Sequence, residues 1–271
     1  MIITDTFIEI GSQHKVCEDY ILKLDSPQAV IICDGCSSSK DTDMGARIIA
    51  NITKMKMQYN PALLKDLLAS ARTYDEVQQY GLGIISDADG ISTRLGLGET
   101  ALDSTLIIAV KNPDRNSINV FFYGDGYLIL KYKNDDIEIM QIDYDNNAPF
   151  YLSYSLNIDR LGQYLNIELQ KTITWSGANA YSIKDPAELR LTKEIPLGNI
   201  EAVMIASDGL GSFISKMDPI PLESIIRSFL IFPVKHGEFL KRTMTYHLNR
   251  LKKEGINHYD DLSIGAFLVK E

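Results

Sequence analysis

Ala29-Val30-Ile31-Ile32-Cys33-Asp34-Gly35 is the stretch that decides the fold class of this chain. Its first five residues are apolar without alternation, the pattern of a strand buried on both faces. Asp34-Gly35 then follows as a turn signal at the strand's carboxyl end. The same design returns at Ala202-Val203-Met204-Ile205-Ala206, which runs into Ser207-Asp208-Gly209. Working outward from the first, alternation marks strands at Thr6–Ile10 and Tyr20–Leu24 on its amino-terminal side. On its other side the period changes. Met44, Ile48, Ile49, Ile52 and Met55 recur at helical spacing, with Asp41, Thr42 or Asp43 available as N-cap. A second helical stretch covers Ala62–Gln79, and the Gly-rich segment from Gly81 to Gly98 reads as loop.

Strand patterns resume at Ser104–Val110, Ile118–Tyr123, Tyr127–Tyr132 and Ile137–Ile142, with turns at Asn112-Pro113-Asp114 and Asn134-Asp135-Asp136. From 146 to 196 the pattern weakens around the single Trp175, and an irregular flap-like insertion is expected there. After the strand ending at Ala206, helices are expected at Leu222–Ile231, stopped by Pro233, and at Gly237–Lys253, with Gly255 as its C-terminal cap. The last strand, Leu262–Val269, follows Tyr259-Asp260-Asp261. Hairpin-like spacings with one helical stretch early and another late suggest an α+β fold, two packed antiparallel sheets flanked by helices. No internal repeat or Pro/Ser-rich linker divides the 271 residues, so a single domain is expected.

The chain carries 36 acidic against 27 basic residues, a formal net charge of -9. That balance argues against a partner presenting a phosphate backbone or an anionic membrane, which calls for clustered Lys and Arg. Three cysteines make no disulfide scaffold and fit a reducing compartment. The segment from Met1 to Thr6 lacks the features of a signal peptide, and no apolar run reaches the roughly 18 residues of a membrane span. A soluble, cytoplasmic protein is expected.

Acidic residues recur at the ends of the buried strands. Glu18-Asp19 opens the second, Asp34 ends the third, Asp125 sits in Gly124-Asp125-Gly126, Asp208 ends the strand from Ala202, and Asp260-Asp261 opens the last. A carboxylate in such a place is costly without positive compensation, and no Lys or Arg is adjacent to supply it. A cluster of hard oxygen donors is what Mg2+ or Mn2+ takes, with the carbonyl of Gly35 open to the same ion. Taken singly, each Asp-Gly is an ordinary turn and each acidic pair an ordinary solvated pair.

Six short motifs in order resemble those of the metal-dependent PP2C-type (PPM) protein Ser/Thr phosphatases. They are the stretch from Gly11 to Asp19, Val30 to Ser38 with Gly45-Ala46, Asp103-Ser104-Thr105, Tyr123-Gly124-Asp125-Gly126, Ile205 to Leu210, and Asp260-Asp261-Leu262-Ser263. The resemblance implies a four-layer αββα sandwich with a metal centre between the sheets. It implies two Mn2+ or Mg2+ ions, with Asp34 bridging, the carbonyl of Gly35 on one and Asp208 and Asp260 on the other. Asp19 or Glu18 would act directly or through water, and Asp125 with Asp208 would hold a third ion. Such a centre ionises a water that attacks a phospho-Ser or phospho-Thr of a protein substrate, without a phosphoenzyme. A cognate Ser/Thr kinase is an implied partner. Catalysis would fall to Asp34, Asp208 and His14, since His14, with Lys15 beside it, stands where the family holds phosphate with Arg. Cys36, Ser37-Ser38 and Gly126 are further departures from the family pattern.

Two other readings use the same residues. A PP2C-like module that binds phosphoproteins without turning them over is motivated by the departures at His14, Cys36 and Gly126. Alternatively, His14-x2-Cys17 and Cys33-x2-Cys36 have the spacing of a structural zinc site, and Cys33 with Cys36 that of a redox pair. His247 reads as a core or boundary residue on an apolar helix face, His236 and His258 as solvated, and Trp175 with the Tyr residues of 144–164 as flap packing or, alternatively, the lining of a substrate groove.

Overall fold

The computed structural model describes residues 1–69, 74–177, 180–215 and 218–270. The chain opens with β1 (Ile2–Glu9), β2 (Asp19–Asp25) and β3 (Gln28–Asp34), then α1 (Thr42–Tyr59), α2 (Pro61–Leu67) and α3 (Tyr74–Arg94). A meander follows: β4 (Leu106–Lys111), β5 (Ser117–Tyr123), β6 (Gly126–Tyr132) and β7 (Ile137–Tyr144). Next come α4 (Ile158–Leu165), β8 (Gln170–Ser176), β9 (Tyr181–Pro186), β10 (Leu191–Pro196) and β11 (Ile200–Ala206). The chain ends with β12 (Phe213–Ser215), β13 (Asp218–Pro219), α5 (Leu222–Phe229), α6 (Phe239–Lys253), β14 (Ile256–His258) and β15 (Leu262–Val269).

A seven-stranded sheet has the order β1-β15-β11-β6-β7-β8-β9, and a five-stranded sheet the order β10-β5-β4-β3-β2; every pairing within them is antiparallel. β3 shows why its sequence does not alternate. Val30 and Ile32 pack with Ile107, Val120, Leu128, Val203 and Phe267 between the two sheets. Ala29, Ile31 and Cys33 pack on the other face with Ile49, Ile84 and Ile85 from α1 and α3. On the far side, Met204, Ala206, Ile264 and Ala266 meet Ile226 and Phe229 of α5 and Leu240, Met244 and Leu248 of α6. The layers are helices, sheet, sheet, helices, as the sequence led one to expect. His247 is buried on the apolar side of α6 as read.

Three regions differ from the sequence reading. The stretch from Gly81 to Gly98 is largely helix, since α3 runs to Arg94. Glycine costs a helix about 1 kcal/mol, but here Gly81 lets α3 come close: a Cβ would lie 2.6 Å from Tyr123 Cε1 and 3.0 Å from Leu152 Cδ2. Burial of Val77, Ile84, Ile85 and Ala88 along the same helix outweighs that cost. The helix expected over Ala62–Gln79 is instead nearly all of α2 and the start of α3, and residues 70–73 of it lie outside the described residues. Segment 146–196 is no irregular insertion. It contains α4 and three strands: β8 and β9 extend one sheet, and β10 pairs with β5 at the edge of the other. Its period was faint because β9 is an edge strand exposed along most of its length, with no buried face to impose alternation.

Candidate metal centre

Strand ends bring the acidic residues together. Asp19 and Asp34 are direct partners in the register of β2 and β3. The loop before β4 locks Asp34 in place: its N–H donates to Thr105 Oγ1 at 3.2 Å, and the Thr105 N–H donates to its carbonyl at 2.8 Å. Asp125 sits in the turn from β5 to β6 between Gly124 (φ 115°) and Gly126 (φ 129°). A Cβ on Gly126 would lie 2.7 Å from the Ala206 carbonyl oxygen and 2.6 Å from Ile107 Cδ1. Local crowding and a positive φ therefore explain why this chain has glycine where the resembling motif has serine. Asp208 opens a single 3-10 turn after β11. The next residue, Gly209, would carry its Cβ 1.8 Å from the Asp261 carbonyl oxygen, so the turns bearing Asp208 and Asp260-Asp261 touch backbone to backbone.

His14, Asp34, Gly35, Asp125, Asp208 and Asp260 line one cavity of about 290 Å³. Cys36, Ser37 and Ser38 form part of its wall, together with Asn146, Asn147, Pro149 and Tyr151. Burial pushes Asp34 well above the usual carboxylate range, and the charges of Asp19 and Asp208 add to it. Asp125 is raised by burial and by Asp208, and Asp208 by burial and by Asp260. Asp19 is buried beside the cavity; its Oδ2 accepts from Ser207 Oγ at 2.8 Å, and its Oδ1 makes no hydrogen bond of ordinary geometry. Burial comes first in raising Asp19 too, with Asp208 and Asp261 adding. Among the described residues no lysine or arginine forms an ion pair with Asp19, Asp34, Asp125, Asp208 or Asp260. Crowded, uncompensated oxygen donors with an orphaned buried carboxylate oxygen fit a divalent cation.

A second arrangement adjoins this one. Asp261, 2 % exposed, holds the loop between β1 and β2. Its Oδ1 accepts from the Gly11 N–H and its Oδ2 from the Glu18 N–H, each at 2.7 Å. His14 stands over it, Nδ1 lying 3.1 Å from Asp261 Oδ2 and 3.7 Å from Glu18 Oε2, and Nε2 3.3 Å from Asp260 Oδ1. Both ring nitrogens of the expected phosphate-holding residue thus face carboxylates. Glu18 Oε1 accepts from Thr42 Oγ1 at 3.3 Å. Lys15 is exposed and outside the cavity lining.

The four-residue zinc pattern does not assemble. Cys33 is a core residue under α1, and Cys36 Sγ lies 3.1 Å from Ser38 Oγ. Among the described residues the group with metal-ligand spacing is His14, Glu18 and Asp261, without a thiol. The three cysteines are free, so Cys33 and Cys36 form no disulfide here. His258 is corrected as well: it is buried, with Nδ1 2.8 Å from the Asp260 carbonyl and Nε2 3.1 Å from Glu9 Oε1. The sequence reading gave Asp261 no role apart from Asp260, and did not single out Tyr151 from the tyrosines of 144–164. The acidic pair 260–261 was visible, but which member faces the cavity and which clamps a distant loop depends on register with β1 and β2. Asp143 on β7 was also passed over, and its charge bears on both Asp125 and Asp208.

The family model for protein phosphatase 2C matches residues 11–259. The chain belongs to the protein phosphatase 2C family. Solved structures of several phosphatases share its fold. One is a bacterial serine phosphatase at 13% identity and TM-score 0.59, covering 100% of this chain and 98% of its own. Another is the serine/threonine phosphatase Stp1 from Staphylococcus aureus, at 14% identity and TM-score 0.55, covering 100% of this chain and 96% of its own. A third is the catalytic domain of the serine/threonine protein phosphatase PstP in complex with two manganese ions, at 13% identity and TM-score 0.56, covering 100% of this chain and 99% of its own. No curated protein matches the sequence. The family match spans five of the six sequence motifs and stops at residue 259, one short of Asp260. Among the described residues no helix is long and apolar enough to cross a membrane.

Proposed function

We propose that this protein phosphatase 2C chain, acting as one domain, hydrolyses phosphomonoesters of serine and threonine in proteins. It would do so with Mn2+ or Mg2+ held by Asp34, Asp208 and Asp260. The observation that carries this reading is the gathering of four carboxylates from distant strand ends round one cavity, with no lysine or arginine among the described residues in ion-pair contact with them. Manganese in the PstP catalytic domain, which shares the fold, supports the choice of ion.

In this reading Asp34, with the carbonyl of Gly35, and Asp208 and Asp260 would hold the cations. Asp125, with Asp208, would hold a further one, and Asp19 and Glu18 would support the cluster from its edge. Bound cations supply acidity to a water at neutral pH and offset charge on phosphoryl oxygens. The chain's own part is positional. Thr105 and the contact at Gly209 fix the carboxylates, so little reorganisation is needed when charge develops. Asn146, Asn147 and Tyr151 form the face across which the phosphoester would lie. His14 is held among carboxylates, so we place it beside the cations, with phosphate reached from there; Lys15 would meet phosphate only from the rim. No side chain needs to be phosphorylated. Phosphorylated proteins, and through them a Ser/Thr kinase, are the partners this chemistry implies.

One observation favours a second reading, a module that binds phosphoproteins without hydrolysing them: among the described residues lining the cavity, His14 is the one basic side chain. Release of phosphate from a phosphoserine peptide by purified protein with saturating Mn2+ decides between them. Mn2+-dependent release that Asp208→Asn abolishes is the expected result. Peptide binding without release would overturn the enzymatic reading.

A further inference from the structure

We propose that His14 is itself a metal ligand, forming with Glu18 and Asp261 a mixed nitrogen–oxygen site beside the carboxylate cavity. This site takes a transition-metal cation such as Mn2+, Fe2+ or Zn2+ in preference to Mg2+. The proposal goes beyond the phosphatase reading and does not require that the chain hydrolyse anything.

Spacing is the first support. One nitrogen and two carboxylate oxygens from these residues lie within 4.8 Å of one another. Two donors bound to one ion at about 2.1 Å each stand roughly 3.0 to 3.5 Å apart. From His14 Nδ1 the observed distances are 3.1 Å to Asp261 Oδ2 and 3.7 Å to Glu18 Oε2. The donors are also held. Asp261 is anchored by the Gly11 and Glu18 N–H groups, and Glu18 Oε1 is occupied by Thr42, which leaves Oε2 turned to the histidine.

Orientation of the ring is the second, independent support. His14 Nδ1 is shut off from solvent and makes no hydrogen bond of acceptable geometry, although two carboxylate oxygens stand near it. Nε2 faces Asp260 Oδ1 at 3.3 Å. Nδ1 is directed away from solvent, between Glu18 Oε2 and Asp261 Oδ2, where a cation shared with both carboxylates would sit. A carboxylate behind the far nitrogen is also the usual way a metal-bound imidazole is oriented. Imidazole nitrogen suits Mn2+, Fe2+ and Zn2+, whereas Mg2+ selects oxygen donors. The zinc pattern legible in the sequence therefore named one correct ligand, His14, with the wrong companions: carboxylates take the place of the thiols.

Pulsed electron paramagnetic resonance on the Mn2+-loaded full chain tests this, because directly bound imidazole imprints 14N modulation on the echo. Wild-type protein is expected to show that modulation and to keep it in a large excess of Mg2+. In His14→Gln the modulation should vanish and metal analysis should find one fewer Mn2+ per chain. In Glu18→Gln, which keeps the histidine, Mn2+ at this site should bind at least about tenfold more weakly. Asp208→Asn should lose phosphatase turnover yet keep the 14N signal, so failure of the catalytic reading and failure of this site are told apart. Saturating Mn2+ without 14N modulation in the wild type, or modulation that survives His14→Gln, would overturn the proposal and leave His14 an ordinary ion pair.

Discussion

Asp103 and Asp34 are acidic residues on adjoining loops of one protein, and the chain treats them in opposite ways. Asp103 is fully provided for: Arg160 Nη2 reaches its two oxygens at 2.9 and 2.8 Å, Ser153 Oγ donates at 2.6 Å and Ser39 Oγ at 3.1 Å. Its backbone carbonyl also accepts from the Cys36 N–H at 2.8 Å. Asp5 is likewise satisfied, by the Leu240 and Lys241 N–H groups at the start of α6. Asp34, by contrast, faces Asp19, Asp208 and Asp125, all of which push its pKa upward. A fold that neutralises Asp103 with arginine and hydroxyls and Asp5 with a helix end, yet among the described residues sets no lysine or arginine against Asp34, leaves a place that a cation would fit.

The largest expected effect comes from breaking the unbalanced side. Asp208→Asn should lower Mn2+-dependent phosphate release by roughly three orders of magnitude. The same change should raise the stability of the metal-free protein by about 1–2 kcal/mol, because it removes one charge from a repelling cluster. Urea titration in the presence of a chelator reads the second effect, and a loss of stability would contradict the comparison. On the balanced side the sign reverses. Asp103→Ala strands Arg160 and should cost about 3 kcal/mol by the same titration. It should also loosen the turn that carries Ser153, since Ser153 Oγ bonds the Asp103 carboxylate while the Asp103 carbonyl holds the Cys36 N–H.

Adding cation should close the gap between the two regions. Mn2+ at a hundred times its dissociation constant should stabilise the wild type by about 2.7 kcal/mol, a rise of several degrees in Tm by calorimetry. Asp34→Asn should show little of that rise. The smallest effect concerns Glu9, another carboxylate that is provided for. Hydrogen bonds from His258 and Lys252 lower its pKa from 4.5 to about 2 against the cost of burial. A group depressed on folding adds stability above its unfolded pKa and loses it as pH falls through the folded value. Glu9 should therefore contribute about 2 kcal/mol at neutral pH, after a discount for partial exposure, and this contribution should fade between pH 4.5 and 2. Glu9→Gln should flatten that limb of the stability curve.

How much was legible follows from where burial constrains the sequence. β3 and β11 are enclosed on both faces, so their apolar runs and terminal Asp-Gly turns announced both the sheets and the carboxylates. α3 hid behind its glycines because close packing on Tyr123, a contact distant in sequence, decides their use. β9 and β10 hid because edge strands need no strict period. The orientation of His14 was unreadable for a similar reason: its partners Asp260 and Asp261 arrive from the far end of the chain, and only the register of β15 on β1 brings them over the ring.

The clamp that Asp261 places on Gly11 and Glu18 carries a consequence for synthesis. On the ribosome, Asp34 emerges early, but the loop from 11 to 18 has nothing to grip until the final turn and β15 have been delivered. Until then the loop from 11 to 18 lacks the carboxylate that takes up its Gly11 and Glu18 N–H groups.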